Sequence, residues 1–216
     1  MSLLSAGPFT AYAKDRLLYE EVFIEISENE CVLLSGPSGS GKTTLLRQIV
    51  GLHPAPGAQR TLRGRSYSLR ELPLFRRDCL FLSSEAPCLP GTIEENLRFP
   101  FELKLARDDF DPEKARTLLK AVGLAHLSPG QEVQSLSLGE RHRLAMVRAI
   151  LWNPCVILAD EPFTGLDEKT FQASWNLLKG EFLQRPGKAL LIVSHDGLSA
   201  DEVRHLYLRQ GKLIAK

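Results

Sequence analysis

A chain of 216 residues, 44% hydrophobic and 25% charged, can bury the core of one domain. Its 27 basic and 26 acidic side chains leave a net charge of +1, which gives no global electrostatic case for nucleic acid, and no such partner is expected. No apolar stretch approaches the roughly 20 residues that cross a bilayer, and Met1-Ser2-Leu3-Leu4-Ser5 lacks a basic-then-apolar leader pattern, so a cytosolic chain is expected.

In chain order, residues up to about Leu82 read as strand-rich. Val22 to Ile26 alternates, and Asn29 occupies a turn that the left-handed region tolerates. Cys31-Val32-Leu33-Leu34 is an apolar run fit for a buried strand. It feeds Gly36-Pro37-Ser38-Gly39-Ser40-Gly41-Lys42-Thr43, a complete G-x-x-x-x-G-K-[ST] phosphate loop that opens a helix at Thr44 and Leu45. Glycines let the backbone wrap an anion, so that amides and the positive helix end point at a β-phosphate. Lys42 supplies charge for β- and γ-phosphates, and the Thr43 hydroxyl is a hard oxygen of the kind Mg²⁺ accepts. A nucleoside triphosphate site follows from these residues.

Arg60, Arg63, Arg65, Arg70, Arg76 and Arg77 make a basic stretch, expected to be a solvated face because few aromatics are interleaved for base stacking. Cys79 to Leu82 is another apolar strand. From about Pro87 to Leu151 the pattern turns helical: Asp111 and Pro112 cap a helix whose face is Ala115, Leu118, Leu119 and Val122, and Gly123 stops it. Ser137 with Glu140 forms a capping box before the stripe Leu144, Val147 and Leu151. Val156 to Ala159 is a buried strand ending in Asp160 and Glu161. At the carboxyl end of such a strand Asp160 suits a Mg²⁺ shell and Glu161 can polarise a water. The four cysteines, Cys31, Cys79, Cys88 and Cys155, lack C-x-x-C spacing and are expected to be reduced thiols.

Leu136-Ser137-Leu138-Gly139-Glu140 resembles the L-S-G-G-Q/E signature of the ATP-binding cassette (ABC) ATPases. The acidic strand follows at the family's close spacing, Thr164-Gly165-Leu166-Asp167 resembles its D-loop, and Leu191-Ile192-Val193-Ser194-His195-Asp196 its switch-histidine strand. The resemblance implies an α/β fold, a P-loop NTPase RecA-like core with an antiparallel β subdomain and a helical signature subdomain. It is one domain over 1–216, with core at 1–86 and 152–216 and the helical block at 87–151. ATP and Mg²⁺ are the implied cofactors, with Tyr12 stacking on adenine. Glu161 and His195 are the implied catalytic residues, Thr43 and Asp160 the metal residues. The phosphate loop from Gly36 to Thr44, with Ser137, Gly139, Glu140 and Asp167, completes the nucleotide site.

That resemblance further implies a head-to-tail dimer, in which the signature of one subunit covers the nucleotide on the other's phosphate loop. A separate integral membrane transporter subunit is the expected partner, with this chain peripheral on the inner face of the membrane. Asn96-Leu97-Arg98-Phe99-Pro100-Phe101 resembles metal or iron exporter subunits. Two other readings stay open: a soluble ABC ATPase of iron–sulfur cluster assembly, and a mechanical regulator of the cell-division type. Two residues depart from the family pattern. Leu138 replaces a signature glycine, and Ser84 stands where the Q-loop has glutamine, which leaves three alternatives: water fills the gap, Glu85 substitutes, or hydrolysis and coupling are weaker than in the family.

Overall fold

The computed structural model describes residues 2–194 and 203–215. The chain opens with the antiparallel hairpin of β1 (Ser2–Ala13) and β2 (Arg16–Ser27), then β3 (Cys31–Ser35) and α1 (Lys42–Ile49). Short strands β4 (Gln59–Leu62) and β5 (Arg65–Ser66) precede α2 (Leu72–Asp78) and β6 (Cys79–Leu82). Three helices follow, α3 (Ile93–Arg98), α4 (Pro112–Ala121) and α5 (Leu138–Trp152). The remainder alternates: β7 (Val156–Asp160), α6 (Glu168–Leu177), β8 (Ala189–Val193), then the hairpin of β9 (Arg204–Arg209) and β10 (Lys212–Ala215).

Two sheets result. One is antiparallel, in the order β2-β1-β4-β5; the other runs β10-β9-β3-β8-β7-β6, parallel except for the β10 edge. The period of two decides which layer each residue joins. Val32, Leu34, Leu158 and Leu191 face α1 and the antiparallel sheet, with Leu45, Leu46, Ile49, Phe9 and Ile24 opposite. Leu33, Ile157, Leu190 and Ile192 face the other way, onto Met146, Ile150, Leu177 and Phe182. Every residue of β7 and β8 is buried, which is why these strands read as unbroken apolar runs. Each buried Val, Leu or Ile side chain among them stabilises the fold by about 1.5–3 kcal/mol relative to exposure.

Local signals account for the helix ends. Asp111 accepts from the amides of Glu113 and Lys114, and Gly123 leaves α4 at φ 74°. The Ser137–Glu140 capping box is formed in full, and Asn153 ends α5 in the left-handed region at φ 58°. All four cysteines are free thiols, with Cys31, Cys79 and Cys155 buried.

The basic stretch departs from its expected solvated face. Arg63, Arg65 and Arg70 are exposed, but Arg76 and Arg77 lie half-buried on α2 and Arg60 is only 3% exposed. Arg60 donates from Nε to the carbonyl of Ile49 at 2.7 Å and from Nη2 to that of Gln48 at 2.6 Å. A guanidinium presents several donors in one plane, so it can bind two carbonyls at once where α1 ends, that of Gln48 accepting from the Gly51 amide as well.

Candidate nucleotide site

Strand β3 delivers the phosphate loop at the carboxyl edge of the parallel sheet. Gly36, Gly39 and Gly41 take φ values of 151°, 72° and 100°, which side chains rarely adopt. At Gly41 a Cβ would lie 2.8 Å from the ring of Tyr19, so the turn into α1 needs glycine for space as well. Gly41 supplies no side-chain cap and the first turn of α1 holds no acid, which leaves its leading amides open to an anion. Among the described residues, the buried Ser40 Oγ has no hydrogen-bond partner. Lys42 is 7% exposed and donates from Nζ to the carbonyls of Gly36 at 2.9 Å and Pro37 at 3.2 Å. Thr44 is half-buried in the same turn.

From β7 comes the acid. Asp160 is 2% exposed, and its Oδ2 accepts from Thr43 Oγ1 at 2.9 Å. Burial raises the Asp160 carboxyl above its ordinary range, the Thr43 bond opposes that, and Glu161 adds to it. Burial also lowers the Lys42 ammonium, against the pull of Glu161 and Asp160. Glu161 sits at φ 49°, a strained position for a non-glycine residue, while its amide bonds the Val193 carbonyl at 2.9 Å. That bond holds Glu161 at the end of β8. His195, two residues beyond Val193, lies outside the described residues.

The signature and the segment Thr164–Asp167 meet within one chain. Ser137 Oγ donates to Glu140 Oε2 at 2.7 Å and accepts from the Glu140 amide at 3.3 Å. The Ser137 hydroxyl and amide, both donating to Glu140 Oε2, with His126 close by, hold the Glu140 carboxyl below its usual range. A Cβ on Gly139 would come within 3.3 Å of Leu166 Cδ2 and 3.5 Å of the Gly165 carbonyl, so the backbones approach where glycine allows it. Asp167 caps α6 through the Thr170 amide, which keeps its carboxyl low. Leu138 is exposed beside them.

On the opposite flank, Tyr12 faces Leu17 across the β1–β2 hairpin with 58% of its surface exposed, open for stacking. Three further residues bear on this site that sequence reading did not single out. Arg16 donates from Nη2 to the Gly39 carbonyl at 2.7 Å. Tyr19 donates from its hydroxyl to Gln48 Oε1 at 2.9 Å, and Gln48 Nε2 donates to the carbonyls of Thr10 at 3.0 Å and Pro54 at 2.8 Å. This buried network braces the helix of the phosphate loop against the strand that carries Tyr12. A polar residue at the otherwise apolar position 48 was its visible signal.

In the segment that resembles the Q-loop, Glu85 is exposed and pairs with Arg47 on α1 at 3.8 Å. Ser84 presents its carbonyl to His142 on α5.

A glycine cradle between a parallel strand and a helix, with an aspartate from another strand on the helix threonine, defines a P-loop nucleotide-binding domain. The chain belongs to the ABC transporter family, whose model matches residues 19–164. It is 32% identical over 216 residues to the sulfate/thiosulfate import ATP-binding protein CysA of Nephroselmis olivacea, covering 99% of this chain and 62% of that protein. It also superimposes on a bacterial Atm1-family ABC exporter solved with ATP bound, with TM-score 0.83 at 22% identity, over 99% of this chain and 38% of the other. The second likeness shows the fold. The chain thus spans less than two thirds of either relative.

Proposed function

We propose that this chain is the ATP-hydrolysing subunit of an ABC transporter, working as a head-to-tail pair of copies on a separate membrane protein. The observation that carries this reading is the 2.9 Å bond from Thr43 to Asp160 beside the Lys42 ammonium. Two hard oxygen donors and one cation thereby stand at the mouth of a glycine cradle. Together with the unpartnered Ser40 hydroxyl, this donor set fits a magnesium nucleoside triphosphate. Mg²⁺, when bound through Thr43 and Asp160, neutralises charge on the phosphates. Lys42 offers its N–H donors to phosphate oxygens in place of the Gly36 and Pro37 carbonyls. Glu161 orients the attacking water and accepts its proton. Ser137, Gly139 and the start of α5, with Glu140 holding the Ser137 hydroxyl, serve the nucleotide of the second copy, and Asp167 links the two sites. The family resemblance gives His195 the γ-phosphate contact and Tyr12 the adenine.

A groove of about 490 Å³ supports the membrane partner. Leu80, Leu89, Phe99, Leu103 and Trp152 line it with Arg148, a mixture suited to an amphipathic helix. The segment Asn96–Phe101 contributes to this wall: Asn96 bonds the backbone of Leu89 and Thr92, and Phe99 faces the groove. Its resemblance to exporter subunits is accordingly read as contact with a partner. Among the described residues no helix is long and apolar enough to cross a membrane, which accords with a peripheral subunit. The import protein's name supports transport over cluster assembly or cell-division work. An importer subunit and an exporter are both similar to this chain, so substrate and direction belong to the membrane partner.

The test is hydrolysis and sizing in Mg-ATP. Wild type turns ATP over; Glu161→Gln binds ATP, loses turnover and elutes as a dimer. A Glu161→Gln chain that stays monomeric at high concentration and hydrolyses at the wild-type rate sinks the proposal.

A further inference from the structure

His142 lies on α5, five residues beyond Ser137, and is 3% exposed. Its two ring nitrogens face two different loops. Nε2 is 2.7 Å from the carbonyl of Ser84, after β6, and Nδ1 is 3.2 Å from the carbonyl of Thr164, after β7. A carbonyl only accepts, so each contact is a hydrogen bond when that nitrogen carries the proton. A ring with one N–H holds one loop, and a ring with both holds two.

Each loop leads to the chemistry. Next to Ser84, Glu85 reaches Arg47 on the phosphate-loop helix at 3.8 Å. The Thr164 hydroxyl lies 3.4 Å from Glu161 Oε2, and the following Gly165 is the backbone against which Gly139 packs. One imidazole therefore stands where the signature helix, the loop after β6 and the loop after β7 converge. We propose that His142 is a positioning residue that makes these two loops move as one body with α5, so that a displacement of the signature reaches Glu161 and Arg47 together.

The geometry is independent of the hydrolysis reading, but the kinetic consequence rests on it. Wild type, His142→Gln and His142→Leu are compared. A glutamine amide carries two N–H groups and can hold both carbonyls, whereas leucine fills the space and donates nothing. His142→Leu is expected to lose about tenfold or more in kcat with KM for ATP within about twofold, since Lys42 and Thr43 are untouched, and His142→Gln to recover to within about threefold. Amide hydrogen exchange at residues 84–86 and 164–166 is expected to quicken in both loops of His142→Leu, with the unfolding midpoint as control. His142→Met replaces it if the leucine chain does not fold. Equal losses in the glutamine and leucine chains, a KM effect in place of a kcat effect, or unchanged exchange in either loop would overturn the clamp. If wild type hydrolyses no ATP, the functional reading falls and the exchange measurement still decides the role of His142.

Discussion

Two buried lysines stand at opposite edges of the parallel sheet. Lys42 follows β3 at the carboxyl edge, Lys188 precedes β8 at the amino edge, and they are 7% and 6% exposed. Each sets its ammonium on two backbone carbonyls, Lys42 on Gly36 and Pro37, Lys188 on Asn153 at 3.0 Å and Pro154 at 2.5 Å. Burial lowers both. The neighbours differ: Lys42 has Glu161 and Asp160 to restore its charge, while Lys188 is pushed down to about 8 by burial, which Cys155 opposes, Arg63 and Arg185 reinforce, and Asp78 opposes least. Lys188 fastens the end of α5 to the start of β8, with the Phe182 ring 5.4 Å away. A desolvated lysine is therefore no mark of a site by itself. Carboxylates on one side and an open glycine cradle on the other are what support the proposed role of Lys42 as a phosphate ligand.

The comparison breaks most plainly on nucleotide binding. Lys42→Ala should lose roughly 100-fold in Mg-ATP affinity by calorimetry, the effect of one missing charged donor, while Lys188→Met should bind as wild type does. Loss of ATP by Lys188→Met would show that the amino edge serves the site after all. Denaturation in urea should give the converse. Lys188→Met should be destabilised by about 1–3 kcal/mol, because the buried Pro154 carbonyl loses its donor, and Lys42→Ala should change less, because Gly36 and Pro37 lie at the open cradle where water can replace the ammonium. A smaller effect sharpens the contrast. The folded Lys188 value of about 8 lies below its ordinary 10.5, so between them the unfolded chain binds more protons and stability rises with pH. Unfolding curves of wild type minus Lys188→Met across that window should show the rise; a flat difference would mean that Lys188 keeps its ordinary titration.

The same contrast explains what the sequence disclosed. The phosphate loop, the acidic end of β7, the Ser137 capping box and the Asp111 cap are local signals, each set by residues within about a helical turn or a strand, and each stands where it was expected. Lys188, Arg60 and His142 were not legible, because their partners are backbone carbonyls brought in by topology, and Gln48 showed only as a polar residue at an apolar position. Arg60 reaches the end of α1 from β4, and His142 reaches across 58 residues to Ser84. Charge counting sees an arginine run and gives it to solvent. It cannot see that a helix end beneath the strand requires donors. Tyr12 was placed by resemblance, and the structure adds its exposure.

Strand β3 pairs with β8 along one edge and β9 along the other, Cys31 meeting Leu190 and Ser35 meeting Tyr207. Gly36 is pressed against the Leu208 carbonyl, 2.4 Å from where a Cβ would stand. The motif met early in the chain is thus walled by strands the ribosome makes much later. At translation rates of about 5–20 residues per second, a nascent β3 spends on the order of ten seconds with both edges bare. During that interval its apolar run needs shielding from other unfinished chains. A fragment that stops before β9 would carry every residue of the phosphate loop and still lack the wall that shapes it.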